Sequence, residues 1–288
     1  MIIDTHTHFY DPTRPQGVPW PPPENKLLYR TVLPEHFKAV AAPHGVTTTV
    51  VVEASQWPED NQWVLDLAAQ EPALIGLVGQ VVPNRADFAA DLARWAANLL
   101  FRGIRCGGRY FERVEEGSFL ADMAQLAAHD LALDVLVRSE HFAGLVTLAQ
   151  RAPTLRIVID HIAHMPIDGG PITPAWVTHY QSLAANPNLF MKVSALMEQS
   201  TLQPAPADVN FYRPTLDLLW ECFGEDRLLY GSNWPVCERA GNYGRGINIV
   251  KEYFRAKGDT AYAKYFWGNA QRVYKPVARE RNTEGVRG

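Results

Sequence analysis

The sequence predicts an α/β protein built as one (β/α)8 barrel, and three observations carry that expectation. Short β-rich apolar runs recur eight times along the 288 residues. Alanine- and leucine-rich segments with helical spacing lie between most of them, the alternation expected of parallel strands joined by crossover helices. Several runs are apolar at consecutive positions, as strands covered on both faces require. A chain of 288 residues is also long enough to bury roughly three quarters of its unfolded surface in a single core.

The first strand is expected over residues 2–6, opening on two isoleucines, and the second over 47–52, three threonines followed by three valines. Residues 74–79 and the short run 101–105 supply the third and fourth. The second half adds 131–137, 155–160, 189–193 and 227–231, each dominated by Leu, Val, Ile or Met. Helices fall between them at 61–70, 88–98, 119–129 and 142–150. A doubly wound open sheet is the rival architecture, but no Gly-rich phosphate loop supports its dinucleotide-binding version.

Three stretches break the rhythm. Residues 12–23 hold six prolines, 199–214 include Pro204 and Pro206, and 234–246 are rich in glycine and turn formers. All three follow strands, which is the end of a barrel where function sits. The barrel is expected to span residues 1–277, and the polar, glycine-containing residues 278–288 to form a frayed tail.

With 27 Lys plus Arg against 31 Asp plus Glu, the formal charge is -4, and the basic residues are scattered singly. That argues against a nucleic-acid partner. Apolar residues make up 47% and charged residues 20%, an ordinary globular composition that excludes disorder, collagen and coiled coil for the whole. No 18-residue apolar stretch is present to span a membrane, and the start, Met1-Ile2-Ile3-Asp4, lacks the basic and apolar regions of a signal peptide. Cys106, Cys222 and Cys237 are too widely spaced for a zinc knuckle or redox pair, and a reducing cytoplasm is the expected location. Self-association into a homo-oligomer stays open at this level.

Asp4, His6 and His8 share one parity on the first strand. Period two points both imidazoles to one side, with Cα atoms about 6.6–6.8 Å apart, so they can hold one metal ion or one substrate oxygen. His161 follows Asp160 at the end of the sixth strand and suits a third ligand or a proton-transfer group, with His164 behind it. Asn233 closes the eighth strand. Glu53 ends the second strand as a spare carboxylate or, more simply, as the ion-pair partner of Arg105. Arg105, Arg109 and Tyr110 after the fourth strand, and Lys192 and Ser194 on the seventh, are donors for a carboxylate or a developing oxyanion. Lys192 stands out because it lies inside an apolar run, where an unpaired charge is costly. Trp20, Trp57, Trp234 and Tyr243 lie on or beside strand-end loops, where aromatic rings wall a pocket or pack the rim. Cys237 has no neighbouring base and reads as a small apolar filler.

The order Asp4-Thr5-His6-Thr7-His8, then Asp160-His161, then Gly231-Ser232-Asn233-Trp234-Pro235-Val236 resembles the amidohydrolase superfamily. More narrowly, it resembles the branch of sugar-acid lactonases and 2-pyrone-4,6-dicarboxylate lactonase. Arg102-Gly103-Ile104-Arg105, Phe223-Gly224-Glu225-Asp226-Arg227-Leu228 and Gly268-Asn269-Ala270-Gln271-Arg272-Val273-Tyr274 extend the similarity over nearly the whole chain. The resemblance implies a hydrolase that opens a carboxylated lactone of a small sugar acid or pyrone. His6, His8, His161 and Asn233 would be catalytic, and Glu53, Arg105, Arg109, Tyr110, Lys192 and Trp234 would contact substrate. Where that family usually has an aspartate at the end of strand eight, this chain has Asn233, an amide that cannot take up a proton at neutral pH. Binuclear members carry a lysine or glutamate on strand four and a histidine on strand five. Here Arg105 stands at the first place, and His141 arrives only after the strand, which argues against two metals. Either no metal or a single divalent ion such as zinc on His6, His8 and His161 is implied. Two other readings stand beside the lactonase: a divalent-metal-dependent decarboxylase of a small unsaturated or aromatic acid, and a non-catalytic barrel that binds a carboxylate ligand.

Overall fold

A computed structural model of the protein describes residues 1–279. Among these, eight strands form one sheet in sequential order: β1 (Ile2–Thr7), β2 (Val46–Val52), β3 (Leu74–Gly79), β4 (Phe101–Gly107), β5 (Ala132–Leu136), β6 (Arg156–Ile159), β7 (Leu189–Val193) and β8 (Leu228–Tyr230). Every neighbouring pair is parallel. The ring closes through the backbone just beyond β8. The His8 N–H donates to the Trp234 carbonyl at 2.9 Å, and the Asn233 N–H donates to the His6 carbonyl at 2.9 Å. Thr7 and Trp234 form a parallel bridge between them. The bonds that seal the barrel therefore also fix three of the residues expected to carry chemistry.

The helices that cover the ring are α1 (Pro34–Ala41), α2 (Asp60–Gln70), α3 (Phe88–Ala96), α4 (Phe119–Ala128), α5 (Phe142–Arg151), α6 (Pro174–Ala184), α7 (Val209–Phe223) and α8 (Tyr243–Ala256). The short helices α9 (Asp259–Ala263) and α10 (Asn269–Tyr274) follow. Parallel strands need such crossovers, and their apolar faces pack on the outer side of the sheet. Inside the ring, Val50, Val78, Val158, Phe190 and Leu229 form a separate apolar cluster with Ala270, Val273 and Tyr274 of α10, which plugs the lower end. Above that plug the inward positions become ionisable: His6, Asp134, Asp160 and Lys192 are all wholly buried.

The structure departs from the sequence expectations in four places. The register of β1 against β2 slips between Asp4 and Thr7. The extra residue reverses the alternation, as a β-bulge does. Asp4 consequently meets the Tyr243 hydroxyl of α8 at 3.0 Å, on the helical side, while His6 faces the barrel interior. Helix α7 starts at Val209, with the Asp208 carboxylate accepting the Asn210 N–H at 2.9 Å, so Pro214 lies within the helix and the preceding loop is shorter than 199–214. Helix α8 starts at Tyr243, capped by Asn242, which shortens the third loop likewise. Lastly, Val277 still bonds to Ile75, and the Arg279 guanidinium caps carbonyls of Glu71 and Leu74 at 3.2 Å, so attachment continues past residue 277. The remainder of the expected tail, 280–288, lies outside the described residues. No helix among the described residues is long and apolar enough to cross a membrane.

Candidate active site

The loops beyond the C-terminal strand ends surround a cleft of about 670 Å³. His8, Trp20, Glu53, Arg105, Arg109, Tyr110, His161, His164 and Asn233 line it. A recess of about 320 Å³ adjoins the cleft, shares His161, His164 and Asn233, and adds Glu198, Gln199 and Arg239. The three histidine rings converge: centroids of His6 and His8 are 4.9 Å apart, and those of His6 and His161 are 4.4 Å apart.

An ionic layer supports this rim from below. The Lys192 ammonium donates to Asp134 Oδ2 at 2.6 Å and lies 3.0 Å from Asp160 Oδ1 and 3.2 Å from His6 Nδ1. Tyr274, from the plug, donates to Asp134 Oδ1 at 2.8 Å. Burial pushes Asp134 up to about 6 against the pull of Lys192. Burial also works to raise Asp160, but Lys192 and His6 outweigh it and hold that carboxyl well below its ordinary value. Lys192 is thus committed to two carboxylates and a ring nitrogen, and its complete burial corrects the expectation that it touches substrate. Gly231 leaves the space this packing needs: a Cβ there would lie 2.8 Å from His6 Cβ and 3.1 Å from Lys192 Cδ.

His161 sits in an unusual backbone segment. His161, Ile162, Ala163 and His164 have φ of 55°, 48°, 52° and 57°. Left-handed geometry costs about 1–2 kcal/mol per L-residue, and for a β-branched residue such as Ile162 it is exceptional. The turn is held by the Tyr180 hydroxyl donating to the Ile162 carbonyl at 2.7 Å, and by Ser194. Ser194 Oγ accepts the His161 N–H at 3.2 Å and lies 2.8 Å from His161 Nδ1. With the backbone N–H occupying one lone pair, the serine hydrogen is free to donate to Nδ1. With Ser194 donating to Nδ1, Nε2 carries the hydrogen; with Ser194 accepting from Nδ1, Nε2 is a lone pair. Burial lowers His161 to about 3, so the ring is neutral at pH 7.

His8 Nδ1 lies 3.0 Å from the Val52 carbonyl, which can only accept, so Nδ1 bears the hydrogen. Burial lowers this ring to about 4, leaving Nε2 as a lone pair 3.3 Å from Asn233 Oδ1, so that two acceptors face each other across the rim. The amide's other contact is with Glu198 Oε1, 3.0 Å from Asn233 Nδ2. Asn233 itself has φ 61°, a conformation that asparagine tolerates better than most residues. Glu53 and Arg105 form the expected pair, Nε donating to Oε1 at 2.7 Å, with a second Arg105 donor to the Glu53 carbonyl at 3.1 Å. Arg109 covers the Tyr110 ring at 4.9 Å and stays exposed at the mouth.

Trp234 and Tyr243 correct the expectation of pocket walls. Trp234 is 1% exposed, packs on Phe9 and Phe37, and donates its ring N–H to Glu238 at 2.9 Å. It faces the helical layer because sealing the ring takes its backbone inward. Trp20 does reach the cleft, edge-on to His8 at 5.9 Å, whereas Trp57 lies in a neighbouring apolar niche. Cys237 is packed away, its thiol pushed well up by burial. Sequence reasoning missed Glu198, Asp134 and the structural part of Asp160. Glu198 sits in an apolar stretch, Ala195-Leu196-Met197-Glu198, the one signal available.

The ring also contains a candidate metal cluster. His6, Asp160 and His161 each bring one ligand atom to within 4.8 Å of the others. His6 Nε2 and Asp160 Oδ2 are buried without hydrogen-bond partners, the condition that an ion relieves, while Asp160 Oδ1 is already paired with Lys192. Neutral imidazoles and an ionised carboxylate are suitable divalent-ion donors, so these residues fit a metal. Both His8 nitrogens point at other groups, and that residue is not in the cluster.

A parallel barrel with this histidine rim matches a known family: the amidohydrolase family profile aligns with residues 3–275, and the chain belongs to that family. The chain is 34% identical over 283 residues to an L-fucono-1,5-lactonase of Burkholderia ambifaria, covering 95% of both chains. A second L-fucono-1,5-lactonase, from Burkholderia multivorans, is 26% identical, with 95% of this chain and 96% of that protein covered. Among solved structures, an amidohydrolase from Burkholderia multivorans with bound zinc superposes with a TM-score of 0.85 at 24% identity, covering 96% of this chain and 100% of that one.

Proposed function

We propose that this chain hydrolyses the ring ester of a sugar-acid lactone in the cleft between His8, Arg105, His161 and Asn233. The observation that carries the reading is the His161 ring, kept neutral by burial, lining the cleft and fixed by Ser194 2.8 Å from its Nδ1, opposite the His8–Asn233 edge. Addition of water to an ester carbonyl puts negative charge on the carbonyl oxygen. Preorganised donors around that oxygen lower the barrier because they need no reorientation as the charge forms. His161 Nε2–H and the free edge of the Arg105 guanidinium are placed to act as those donors. Asn233 and His8 offer a lone pair and an amide to orient the water. Collapse of the adduct breaks the acyl–oxygen bond, and the product carboxylate meets Arg105 and Arg109.

The lactonase relatives support a sugar-acid 1,5-lactone as the substrate class. A bound divalent ion would be held by His6, Asp160 and His161, the last through an unprotonated Nε2, and its Lewis-acid polarisation of the ester carbonyl would then replace the His161 N–H. The Burkholderia multivorans amidohydrolase of the same fold has bound zinc, which makes zinc the ion to try first.

Proton release tests the function directly. At neutral pH each lactone opened yields a carboxylate and one proton, so a lightly buffered indicator assay over a panel of aldonolactones and carboxylated pyrones is expected to show saturable acid release. Carbon dioxide release from unsaturated or aromatic acids, with no lactone turnover, would instead establish a decarboxylase. Binding without either product would leave a carboxylate-binding barrel.

A further inference from the structure

We propose that Glu198, from the loop after β7, is the general base of the hydrolysis, held in place by Asn233. The proposal rests on the lactone-hydrolase reading and deepens it by naming the proton acceptor. The need is chemical: the amide at position 233 cannot accept a proton from water, so a carboxylate or imidazole elsewhere must. Of the carboxylates near the cleft, Glu53 is ion-paired through Oε1 with Arg105, whose positive charge disfavours proton uptake, and Asp160 is buried against Lys192 and His6.

Glu198 is placed differently. It lines the recess that opens onto His161, His164 and Asn233. Its Oε1 accepts from Asn233 Nδ2 at 3.0 Å, which leaves Oε2 for a water molecule. No ion pair to Glu198 is formed among the described residues. The groups facing it are the Arg239 guanidinium, the His161 and His164 rings, the Tyr212 hydroxyl, and the Cys237 thiol. Burial dominates that environment and pushes the carboxyl up to about 7. A base with that affinity takes up a proton readily and gives it back at neutral pH, the optimum for general-base work.

The proton count closes. Water passes one proton to Glu198 as its oxygen bonds to the carbonyl carbon. The acyl–oxygen ring bond then breaks, and the leaving ring oxygen takes that proton from Glu198 to become a hydroxyl. The new carboxylic acid ionises to solvent, and Glu198 is regenerated as a carboxylate.

The test is kcat and KM against pH, from 5 to 9, for the intact protein, Glu198→Gln and Glu198→Asp, on whichever panel lactone is turned over fastest. The base acts deprotonated, so the intact protein should lose rate as pH falls through about 7. Glu198→Gln should lower kcat by about 10²–10⁴-fold and abolish that acid limb, with KM changed less than about threefold. Glu198→Asp should keep an acid limb at reduced kcat, which keeps the test decisive if the glutamine variant does not fold. A Gln variant within about threefold of the intact rate, or one that retains the limb, overturns the assignment. Absence of lactone turnover in the intact protein overturns the underlying function instead, so the two failures are distinguishable.

Discussion

Lys192→Met is expected to lower the melting temperature by about 10 °C, the largest stability effect of any single substitution in the site. Among the described residues, Lys192 is the sole cation within 3.0 Å of two buried carboxylates, Asp134 and Asp160. Removing it leaves both uncompensated in a low-dielectric interior. Breaking a buried pair by deleting one partner costs about 3–5 kcal/mol, a large share of a typical folding free energy of about 5–15 kcal/mol. The pH dependence has a definite sign. Without the ammonium both carboxyls titrate in the folded state at higher pH than in the unfolded chain. The penalty is therefore greatest above those raised values and is relieved as pH falls through them. Thermal unfolding at pH 5 and pH 8 checks this, with the larger loss expected at pH 8. Adding Asp134→Asn to Lys192→Met should recover part of the loss at pH 8. A melting temperature within about 2 °C of the parent for Lys192→Met would show that the ionic layer contributes little.

The largest expected loss of activity short of the base is for His161→Ala. In the proposed mechanism its ring supplies a neutral N–H to the oxyanion, and removing one such donor costs about 10²–10³-fold in kcat. The loss should appear in kcat and kcat/KM together, because the donor acts mainly in the transition state. Ser194→Ala should give a smaller loss of the same kind, since Ser194 orients the ring at 2.8 Å without touching the substrate. Steady-state kinetics of both variants, alongside their melting curves, checks the order. A His161→Ala enzyme within about threefold of the parent would remove this residue from the chemistry.

What was legible in the chain follows from the range of the interactions involved. The eight strands are readable because each carries its own apolar run, and the Glu53–Arg105 pair because two strand ends in a barrel of known order must be near each other. Lys192 inside an apolar strand announces a buried counter-ion. That the partners are Asp134 and Asp160 depends on the neighbouring strands β5 and β6 standing in register with it, which no local pattern encodes. The bulge at Asp4 is likewise invisible, because closure against residues 230–234 sets it rather than the strand's own sequence. Trp234 and Tyr243 show the limit for aromatic residues at a rim: composition does not say whether a ring faces the cleft or the helices. Glu198 escaped because its significance comes only from contact with Asn233, 35 residues further on.

The central claim is that the cleft bounded by His8, Arg105, His161 and Asn233 holds a lactone carbonyl. The most direct measurement is a crystal structure of the protein with a sugar-acid lactam, in which a ring amide replaces the labile ester. The account predicts the lactam carbonyl oxygen within hydrogen-bond distance of His161 Nε2 or Arg105, with the ring against Trp20. A lactam bound instead in the niche formed by Trp57 and Trp63, or excluded from the strand-end cleft altogether, would contradict it.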